Sequence, residues 1–417
     1  MTSKNKIIND PVLGFVSLPY PLLYDLLQHP FVQRLTRIRQ LGLSYFVYPG
    51  NTHTRFIHSL GAMHLTHEAI RHLRSRGNDI TPSEEEATLA AVLLHDIGHG
   101  PFSHALEHVL IPDVNHEDIT LLLTRRINDE PSLKGRLDLA IEIFTDRYPK
   151  HYLHQLISSQ LDMDRMDYLV RDSFFSGVRE GNVGAERLIK MLNVKDDRLV
   201  VEEKGIYSAE NFLIARRLMY WQVYLHKTAV ASETMLRHVI IRAKYLTANG
   251  ESLFASPSLQ HFLRADFDLA SFASSDETVR RFARLDDADV LSSVKEWQDA
   301  KDTVLSVLCK GLTNRRLFKV RQAEDETELK ERQEQLLECY TKEYGISPVE
   351  AALFLSCGPV RSRTYDPSSD NILILHRDGS VNELSDVSDV LKASQMLSQR
   401  TTHYFLSYLP TPLFSEK

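Results

Sequence analysis

The spacing of apolar positions along the chain predicts a mostly helical protein. Residues 51–76 form a predicted helix whose buried face carries Leu60, Met63, Ala69, Ile70 and Leu73. Other helices are predicted over 21–28, 31–41, 141–148, 154–159, 161–172 and 326–344, from 116 onward, and from about 209 to beyond 246. The segment 31–41 alternates arginines with apolar residues, and we interpret it as a helix with a solvated basic face.

Short apolar runs beside turn residues predict small strands. Residues 199–202 and 205–207 are predicted to pair as a hairpin, and residues 45–49 to be extended. Residues 371–376 and 380–383 flank Asp378-Gly379, a strong hairpin signal. A final amphipathic helix and a strand are predicted to close the chain. The pattern is that of a mainly α fold with small β-hairpin additions and a small α+β C-terminal region.

The start of one further helix is marked by three residues. Thr81 is a suitable N-cap, Pro82 occupies the first helical position, and Glu84 closes a capping box. The apolar run 91–94 buries this helix. The helix is therefore predicted to carry the adjacent pair His95-Asp96 at its far end.

Metal-ligand side chains are concentrated where this helix ends. Residues 95–104 contain three histidines and one aspartate, far more than chance would place in ten residues. Imidazole nitrogens and carboxylate oxygens together suit Zn, Mn, Fe and other first-row ions. One candidate site draws on this segment and on two other helices, and its ligands are His58, His95, Asp96 and Asp164. Four protein ligands leave positions open for water and substrate, which suits attack on a phosphoryl group.

The helix predicted over 161–172 is crowded with carboxylates. Asp164, Tyr168 and Asp172 share one of its faces because they are spaced four residues apart. Carboxylates interleaved with apolar residues are costly in a merely structural helix, which favours a functional role for this face. Asp162 and Asp167 lie off the face, and we interpret them as structural residues that can serve as controls.

Composition narrows the class of protein. Of the 417 residues, 43% are hydrophobic and 25% are charged, as in ordinary globular proteins. The net charge of -7 gives no overall basic surface for nucleic acid or an anionic membrane. No run approaches the roughly 18 apolar residues of a membrane span, and no apolar signal core follows Met1. The three scattered cysteines indicate no disulfide framework, so a cytoplasmic location is expected.

The metal-ligand set resembles the H…HD…D signature of the HD-domain phosphohydrolase superfamily. Longer motifs resemble its deoxynucleoside triphosphate triphosphohydrolase branch, and they are RIRQLG at 37–42, RFIHSLG at 55–61, HDIGHGPFSH at 95–104, HE at 116–117, DRMDYLVRD at 164–172 and NRRLFK at 314–319. The resemblance spans roughly residues 7–320 and, more weakly, the C-terminal region. It implies an HD phosphohydrolase domain over 1–320, with the metal site within about 50–175, and an α+β region over 321–417 packed on this helical core.

The resemblance also implies a role for each matching residue. The metal ligands are the four already named, and the ion is divalent, with Mg, Mn, Fe, Zn, Ni and Co not distinguished. The implied catalytic residues are His104 with its carboxylate partner Glu107, His116 near the α-phosphate, and His99 from the same motif. The implied substrate-binding residues are Arg55, Arg165 and Arg216 at the triphosphate, Gln40 and Asp172 at the sugar 3′-hydroxyl, and Tyr168 and Tyr224 against the deoxyribose. The implied reaction is attack of water on the α-phosphorus, which releases a deoxynucleoside and inorganic triphosphate.

The family pattern further implies partners. These are a deoxynucleotide substrate, a nucleotide activator bound between subunits, and further copies of the chain, from a dimer to a tetramer or hexamer. Binding of nucleic acid is a secondary expectation, and no membrane partner is expected.

Several positions depart from the family pattern. Tyr220 and Leu225 stand where some relatives carry His and Gln near the phosphates and the sugar or base. Glu107 stands where relatives often have Asp, and Arg165 where some have Lys. The changes at Tyr220 and Leu225 leave the base preference and the number of phosphates open. Two alternatives to the triphosphohydrolase therefore remain: another HD-type nucleotidase or phosphodiesterase, and a non-catalytic nucleotide- or nucleic-acid-binding protein.

Overall fold

The computed structural model describes residues 6–323, 326–362, 371–389 and 401–411. Within them the chain is mainly helical, as predicted. The helices, α1 to α19 in chain order, are Pro21–Gln28, Pro30–Gln33, Arg55–Ser75, Pro82–Leu94, His116–Asn128, Asp138–Phe144, His151–Gln155, Met163–Ser176, Ala185–Ile189, Ile206–Met219, Lys227–Ala248, Pro257–Arg264, Leu269–Ser274, Asp276–Phe282, Asp287–Glu296, Thr303–Thr313, Glu326–Tyr344, Pro348–Ala351 and Leu384–Val387. None of these helices is both long and apolar enough to cross a membrane.

The strands of the described residues form three small sheets. In chain order, β1 to β9 are Lys6–Asp10, Gly14–Leu18, Leu192–Lys195, Arg198–Glu202, Lys319–Ala323, Leu355–Ser362, Leu373–Leu375, Val381–Glu383 and Thr401–Tyr408. β1 and β2 form a hairpin, the second sheet has the order β3-β4-β7-β8, and the third has the order β5-β9-β6. β7 and β8 pair antiparallel across the turn at Gly379, so that predicted hairpin is confirmed. The division of the chain at residue 320 stays a prediction.

The hairpin predicted from residues 199–202 and 205–207 is wrong. β4 pairs antiparallel with β3, and residues 206–207 instead begin α10. The connecting residues Asp196 and Asp197 have φ values of 51° and 60°. A two-residue hairpin turn requires this left-handed conformation, and Asp tolerates it better than most residues. The turn therefore forms before β4, where two aspartates are available.

The long helix predicted from about 209 to beyond 246 is interrupted. α10 is followed by a π-helical turn over Tyr220–Tyr224, and α11 begins only at Lys227. The ring of His226 caps α11 by accepting a hydrogen bond from the backbone N–H of Thr228 at 3.2 Å. Such π-helical turns are common at functional sites because they change the direction of side chains locally.

The structure also differs from two predictions in the N-terminal part of the chain. Residues 44–46 form a 3-10 turn in place of an extended start to 45–49. The helix expected over 31–41 ends at Gln33 and continues as a 3-10 turn, and Arg34 is buried where a solvated face was expected. Its Nη1 donates to the carbonyl oxygen of His99 at 2.9 Å. The predicted final amphipathic helix lies outside the described residues, and β9 confirms the strand.

Helix α3 packs against both α4 and α8 in the core that carries the site. The predicted capping box of α4 is present, with Thr81 as N-cap. Glu85 in the first turn of α4 accepts hydrogen bonds from Tyr20 at 2.7 Å and His67 at 2.8 Å and pairs with Arg74. Burial alone would raise the pKa of Glu85, but these partners outweigh it and lower the pKa to about 2. Glu85 therefore joins α4 to α1 and α3 as an ion.

Candidate active site

The four predicted metal ligands meet at one point in the core. His58 lies in the first turn of α3, His95 and Asp96 follow the end of α4, and Asp164 lies in the first turn of α8. Ligand atoms of the first three lie within 4.8 Å of one another. Oδ1 of Asp164 lies 2.9 Å from Nε2 of His58 and 3.5 Å from Nε2 of His95. Three helix ends thus converge on a compact set of nitrogen and oxygen donors.

The hydrogen bonds of the two histidines suit metal binding. Nδ1 of His95 lies 2.6 Å from the carbonyl oxygen of Val92, which requires the proton on Nδ1 and leaves a lone pair on Nε2. That buried Nε2 has no hydrogen-bond partner among the described residues. Nδ1 of His58 likewise faces Oδ2 of Asp167 at 2.8 Å. Metal-ligating histidines characteristically donate their second nitrogen in this way, so the residues fit a divalent ion.

The charge of His58 supports the same conclusion. Burial alone would lower its pKa, but hydrogen bonds to Asp164 and Asp167 outweigh burial and raise the pKa to about 10. A proton on Nε2 therefore supplies positive charge between the carboxylates. A cation bound there replaces this proton, because ligation requires the neutral ring.

Asp167 is not the neutral structural control that the sequence suggested. It is fully buried and contacts a predicted metal ligand. Arg171 donates to both of its oxygens, at 2.7 and 2.8 Å, and also donates to Asp10 at 2.8 Å. A Cβ on Gly61 would lie 2.0 Å from Oδ1 of Asp167, so glycine is required for this approach. Arg171 therefore holds Asp167, and Asp167 fixes the orientation of the His58 ring through its Nδ1.

Arg55 connects the metal site to the loop that follows it. Its Nη1 donates to Oδ2 of Asp96 at 2.6 Å, and its Nε donates to Oγ of Ser103 at 2.7 Å. Burial would raise the pKa of Asp96, but Arg55 and nearby histidines outweigh burial and hold it well below its usual range. Burial and the charge of Arg55 lower the pKa of His99 well below its usual range. Asp96 is therefore ionised and His99 neutral at pH 7.

The predicted catalytic group lies beside the metal ligands. The rings of His99 and His116 are stacked with centroids 3.9 Å apart, and Nε2 of His99 lies 3.3 Å from Oδ1 of Asp96. Oε1 of Glu107 lies 2.7 Å from Nδ1 of His116, so its described imidazole partner is His116. The side chain of His104, the partner implied by the family pattern, lies outside the described part of the structure.

All of these groups surround one cavity of about 560 Å³. The predicted site residues that line it are Gln40, Arg55, His58, His95, Asp96, His99, His116, Asp164, Arg165, Tyr168, Asp172 and Tyr224. Of the predicted residues whose side chains are described, Glu107 and Arg216 do not line the cavity. Nη1 of Arg216 donates to Gln160 at 3.0 Å, and its guanidinium lies 5.8 Å from the ring centroid of Tyr220.

Asp172 is the centre of a polar group on the cavity wall. Tyr224 donates to Oδ2 at 2.8 Å, and Nε2 of His53 lies 2.8 Å from Oδ1. The side chain of Gln40 also lines the cavity, and its buried Oε1 has no hydrogen-bond partner among the described residues. Burial and the Asp172 charge raise the pKa of Tyr224 well above its ordinary value, so it donates as a neutral phenol. This group can bind a hydroxyl with both donors and acceptors.

Several lining residues escaped sequence reasoning. They include His154, Ser158, Phe144, Val223, Ala229 and Glu233. Tyr220 and Leu225, the two departures from the family pattern, also line the cavity. Glu233 carried a weak local signal, because it is the one acidic residue of α11 and lies one turn after Ala229. The others are ordinary side chains whose position depends on packing.

Comparisons with known proteins agree with this site. The HD domain family matches residues 55–172, and the HD associated region matches residues 183–253. The crystal structure of a phosphohydrolase from Bacteroides thetaiotaomicron is similar, with 51% identity, a TM-score of 0.92, and coverage of 97% of this chain and 100% of that one. The uncharacterized protein YwfO of Bacillus subtilis is 33% identical over 97% of this chain and 92% of its own length.

A more distant relative has a stated reaction. Human deoxynucleoside triphosphate triphosphohydrolase SAMHD1 is 27% identical over 57% of this chain and 44% of its own length. The chain therefore belongs to the HD-domain phosphohydrolase family. The chain is thus a hydrolase of this family, and its His-His-Asp cluster could hold a metal ion.

Proposed function

We propose that the protein is a metal-dependent deoxynucleoside triphosphate triphosphohydrolase, which converts a dNTP into a deoxynucleoside and inorganic triphosphate. The observation that carries the proposal is the convergence of three kinds of group in one cavity of about 560 Å³. These are the metal-ligand set, the arginines Arg55 and Arg165, and the hydroxyl-binding group around Asp172. A cavity of this size suits one small polar ligand.

The hydroxyl-binding group supports a deoxyribose in the substrate. Asp172 and Gln40 offer acceptors, and Gln40 also offers donors, for a 3′-hydroxyl. The rings of Tyr168 and Tyr224 meet edge to face with centroids 6.0 Å apart. They pack where the 2′ position of the sugar would lie, and they exclude a 2′-hydroxyl. Tyr224 also orients Asp172 through its hydrogen bond.

The basic residues support a polyphosphate. Arg55 is held by Asp96 and Ser103, which orients its remaining N–H groups toward the cavity. Nε of Arg165 donates to the carbonyl oxygen of Ser159 at 2.6 Å and to Asp162 at 3.0 Å, which leaves its terminal amino groups for phosphate oxygens. Fixed guanidinium groups bind phosphate without a further ordering cost. Arg216 supports Tyr220 from behind and adds positive charge.

The chemistry at phosphorus needs an electrophilic centre, a water and a proton donor. A divalent ion held by the four ligands would supply Lewis acidity at the α-phosphoryl group. His99 and His116 line the same wall and orient phosphate oxygens or water by hydrogen bonding. The leaving 5′-oxygen takes up its proton from His104, the catalytic histidine that the family pattern implies, and Glu107 is hydrogen-bonded to His116. We also propose that cleavage of the bond between the α-phosphorus and the 5′-oxygen depends on this proton donor.

Product analysis tests the proposed reaction. The metal-loaded protein is incubated with each dNTP, with an equimolar mixture of the four, and with the matching ribonucleotides, and products are separated by chromatography. Release of deoxynucleoside and triphosphate in equal amounts is expected, with ribonucleotides cleaved far more slowly. Release of monophosphate, or no release of triphosphate from any dNTP, would refute the proposal.

A second candidate is another HD-type nucleotidase or phosphodiesterase. The observation in its favour is that Tyr220 and Leu225, the two departures, both line the cavity. Tyr220 stands where some relatives carry His near the phosphates, so the triphosphate has one fewer partner. Faster cleavage of a deoxynucleoside monophosphate or a cyclic nucleotide than of any dNTP would favour this candidate.

Activation and assembly belong to the same proposal. We expect a homo-oligomer, measured by light scattering, and a nucleotide activator bound apart from the substrate. Cleavage of the equimolar dNTP mixture at a rate above the sum of the separate rates would demonstrate activation. A rate for the mixture that equals the sum of the separate rates, with linear dependence on enzyme concentration, would contradict activation.

A further inference from the structure

Glu233 is an acidic side chain on the cavity wall, in addition to the metal ligands, Glu117 and Asp172. It lies on α11, one turn after Ala229, and both residues line the cavity. Oε1 of Glu233 lies 3.6 Å from the position that a Cβ on Gly42 would take. Burial raises the pKa of Glu233 to about 7, against the opposing charge of Arg237, and no protein hydrogen bond contributes among the described residues. The carboxyl group is therefore available to a ligand.

This carboxyl group lies near the loop that carries Phe102 and Ser103. Arg55 bonds to Asp96 and, through Nε, to Ser103. The carbonyl oxygen of the preceding residue, Phe102, lies 3.6 Å from the same Gly42 position that Glu233 approaches. Glu233 therefore lies near Phe102 and Gly42 on the cavity wall. It lies beside the loop that continues from Gln40, which we assign to the sugar.

Charge decides which part of a nucleotide can face Glu233. A carboxylate repels a triphosphate at short range, so it suits the uncharged end of the ligand. Beyond the sugar, that end is the base. Above its raised pKa of about 7 the carboxyl group of Glu233 is ionised and offers two acceptors and no donor. Guanine presents two adjacent N–H donors on its Watson–Crick edge, at N1 and at the 2-amino group. The other three bases place a carbonyl or a ring nitrogen acceptor beside their donor.

We propose that Glu233 is a specificity-determining residue that binds the Watson–Crick edge of guanine in the substrate. The inference rests on the proposed function and names the base that the enzyme prefers. Two parallel charge-assisted hydrogen bonds join the carboxylate to N1–H and the 2-amino group. A base without this pair of donors leaves a buried acceptor unsatisfied, and its complex is penalised.

A pair of matched substrates tests the inference. Deoxyinosine triphosphate keeps N1–H of guanine but lacks the 2-amino group. The wild-type kcat/KM for dGTP is expected to exceed that for deoxyinosine triphosphate by about 5- to 150-fold, the range of one good base contact. Glu233→Gln loses part of this ratio and Glu233→Met loses it all, while both retain cleavage. Glu251→Gln, an exposed change after α11, serves as the control and keeps the wild-type ratio.

The outcomes separate this inference from the proposed function. A ratio that stays within about twofold of wild type in both Glu233 variants overturns the role of Glu233, even if every dNTP is cleaved. Failure to release triphosphate from any dNTP refutes the proposed function. In that case the Kd values of dGTP and deoxyinosine triphosphate are measured by calorimetry for wild type and Glu233→Met. Equal Kd values for the two nucleotides in the wild-type protein then overturn the inference as well.

Discussion

Replacing Asp167 with asparagine removes one negative charge and one acceptor from behind the metal ligand His58. In the native protein Oδ2 accepts from His58 at 2.8 Å and from Arg171 at 2.7 Å, and Oδ1 accepts from Arg171 at 2.8 Å. The single oxygen of asparagine can retain one side of this arrangement. Its amide N–H₂ must then face a donor on the other side, which costs a hydrogen bond and leaves positive charge in the core.

The size of the effect follows from these contacts. Breaking a buried ion pair costs about 3–5 kcal/mol. Arg171 keeps its second partner, Asp10, at 2.8 Å, which reduces the penalty. We expect Asp167→Asn to lower the free energy of unfolding by about 3 kcal/mol, which a domain of ordinary stability tolerates. Loss of the partner that orients His58 is expected to weaken metal binding by about 10- to 100-fold.

Two measurements test this prediction. Urea unfolding followed by circular dichroism gives the change in stability, and titration against a chelator of known affinity gives the metal Kd. Asp129→Asn, an exposed change at the end of α5, is the matched control. A folded Asp167→Asn protein with the wild-type metal Kd would refute the reasoning, because Asp167 would then be the structural residue that the sequence suggested.

Three further predictions concern the metal site and the core. The double variant His95→Ala, Asp96→Ala should lose turnover and bound metal, measured by plasma mass spectrometry, while its circular dichroism spectrum stays native. Gly61→Ala places a Cβ 2.0 Å from Oδ1 of Asp167 and should lower the free energy of unfolding; overpacking of this kind costs about 1–3 kcal/mol. The lowered pKa of Glu85 stabilises the fold above its unfolded value of 4.5, and this stability is lost as pH falls toward about 2. Glu85→Gln should therefore flatten the dependence of the unfolding free energy on pH in that range.

Each of these predictions has a contradicting result. Near-normal turnover in the double variant would mean that the metal site is misplaced. Gly184→Ala is the control for Gly61, because the nearest atom to its added Cβ lies 3.9 Å away, and equal stability losses in both would remove the steric explanation. Identical pH profiles for wild type and Glu85→Gln would show that Glu85 carries no net linkage.

Local sequence signals were sufficient where the structure depends on neighbours along the chain. The capping box at Thr81 and the turn at Gly379 were predicted, because their hydrogen bonds join residues a few positions apart. The metal-ligand set was also predicted, because His and Asp residues concentrated on three predicted helices identified His58, His95, Asp96 and Asp164. These features need residue types and spacing, and both are visible in the chain.

Packing between distant segments determined the environments of buried charged residues, which residue spacing could not predict. Asp167 was assigned a structural role from its position on α8, yet it contacts His58, which lies 109 positions earlier in the chain. Arg34 was assigned to a solvated face, yet it is buried against the carbonyl oxygen of His99. Helical periodicity identifies a face but not the element that covers it. The partner of a buried charge is therefore known only when the helices are assembled.

The cavity also combines features that the sequence determines with features that depend on the tertiary structure. The sequence by itself determined the chemistry available to this protein: a set of metal ligands, arginines for phosphate and a polar face on α8. Only the tertiary structure decided that Tyr220–Tyr224 form a π-helical turn and that Glu233 joins the cavity wall. The physical reason is that a side chain's direction depends on its local backbone turn, whereas its environment depends on contacts between distant segments.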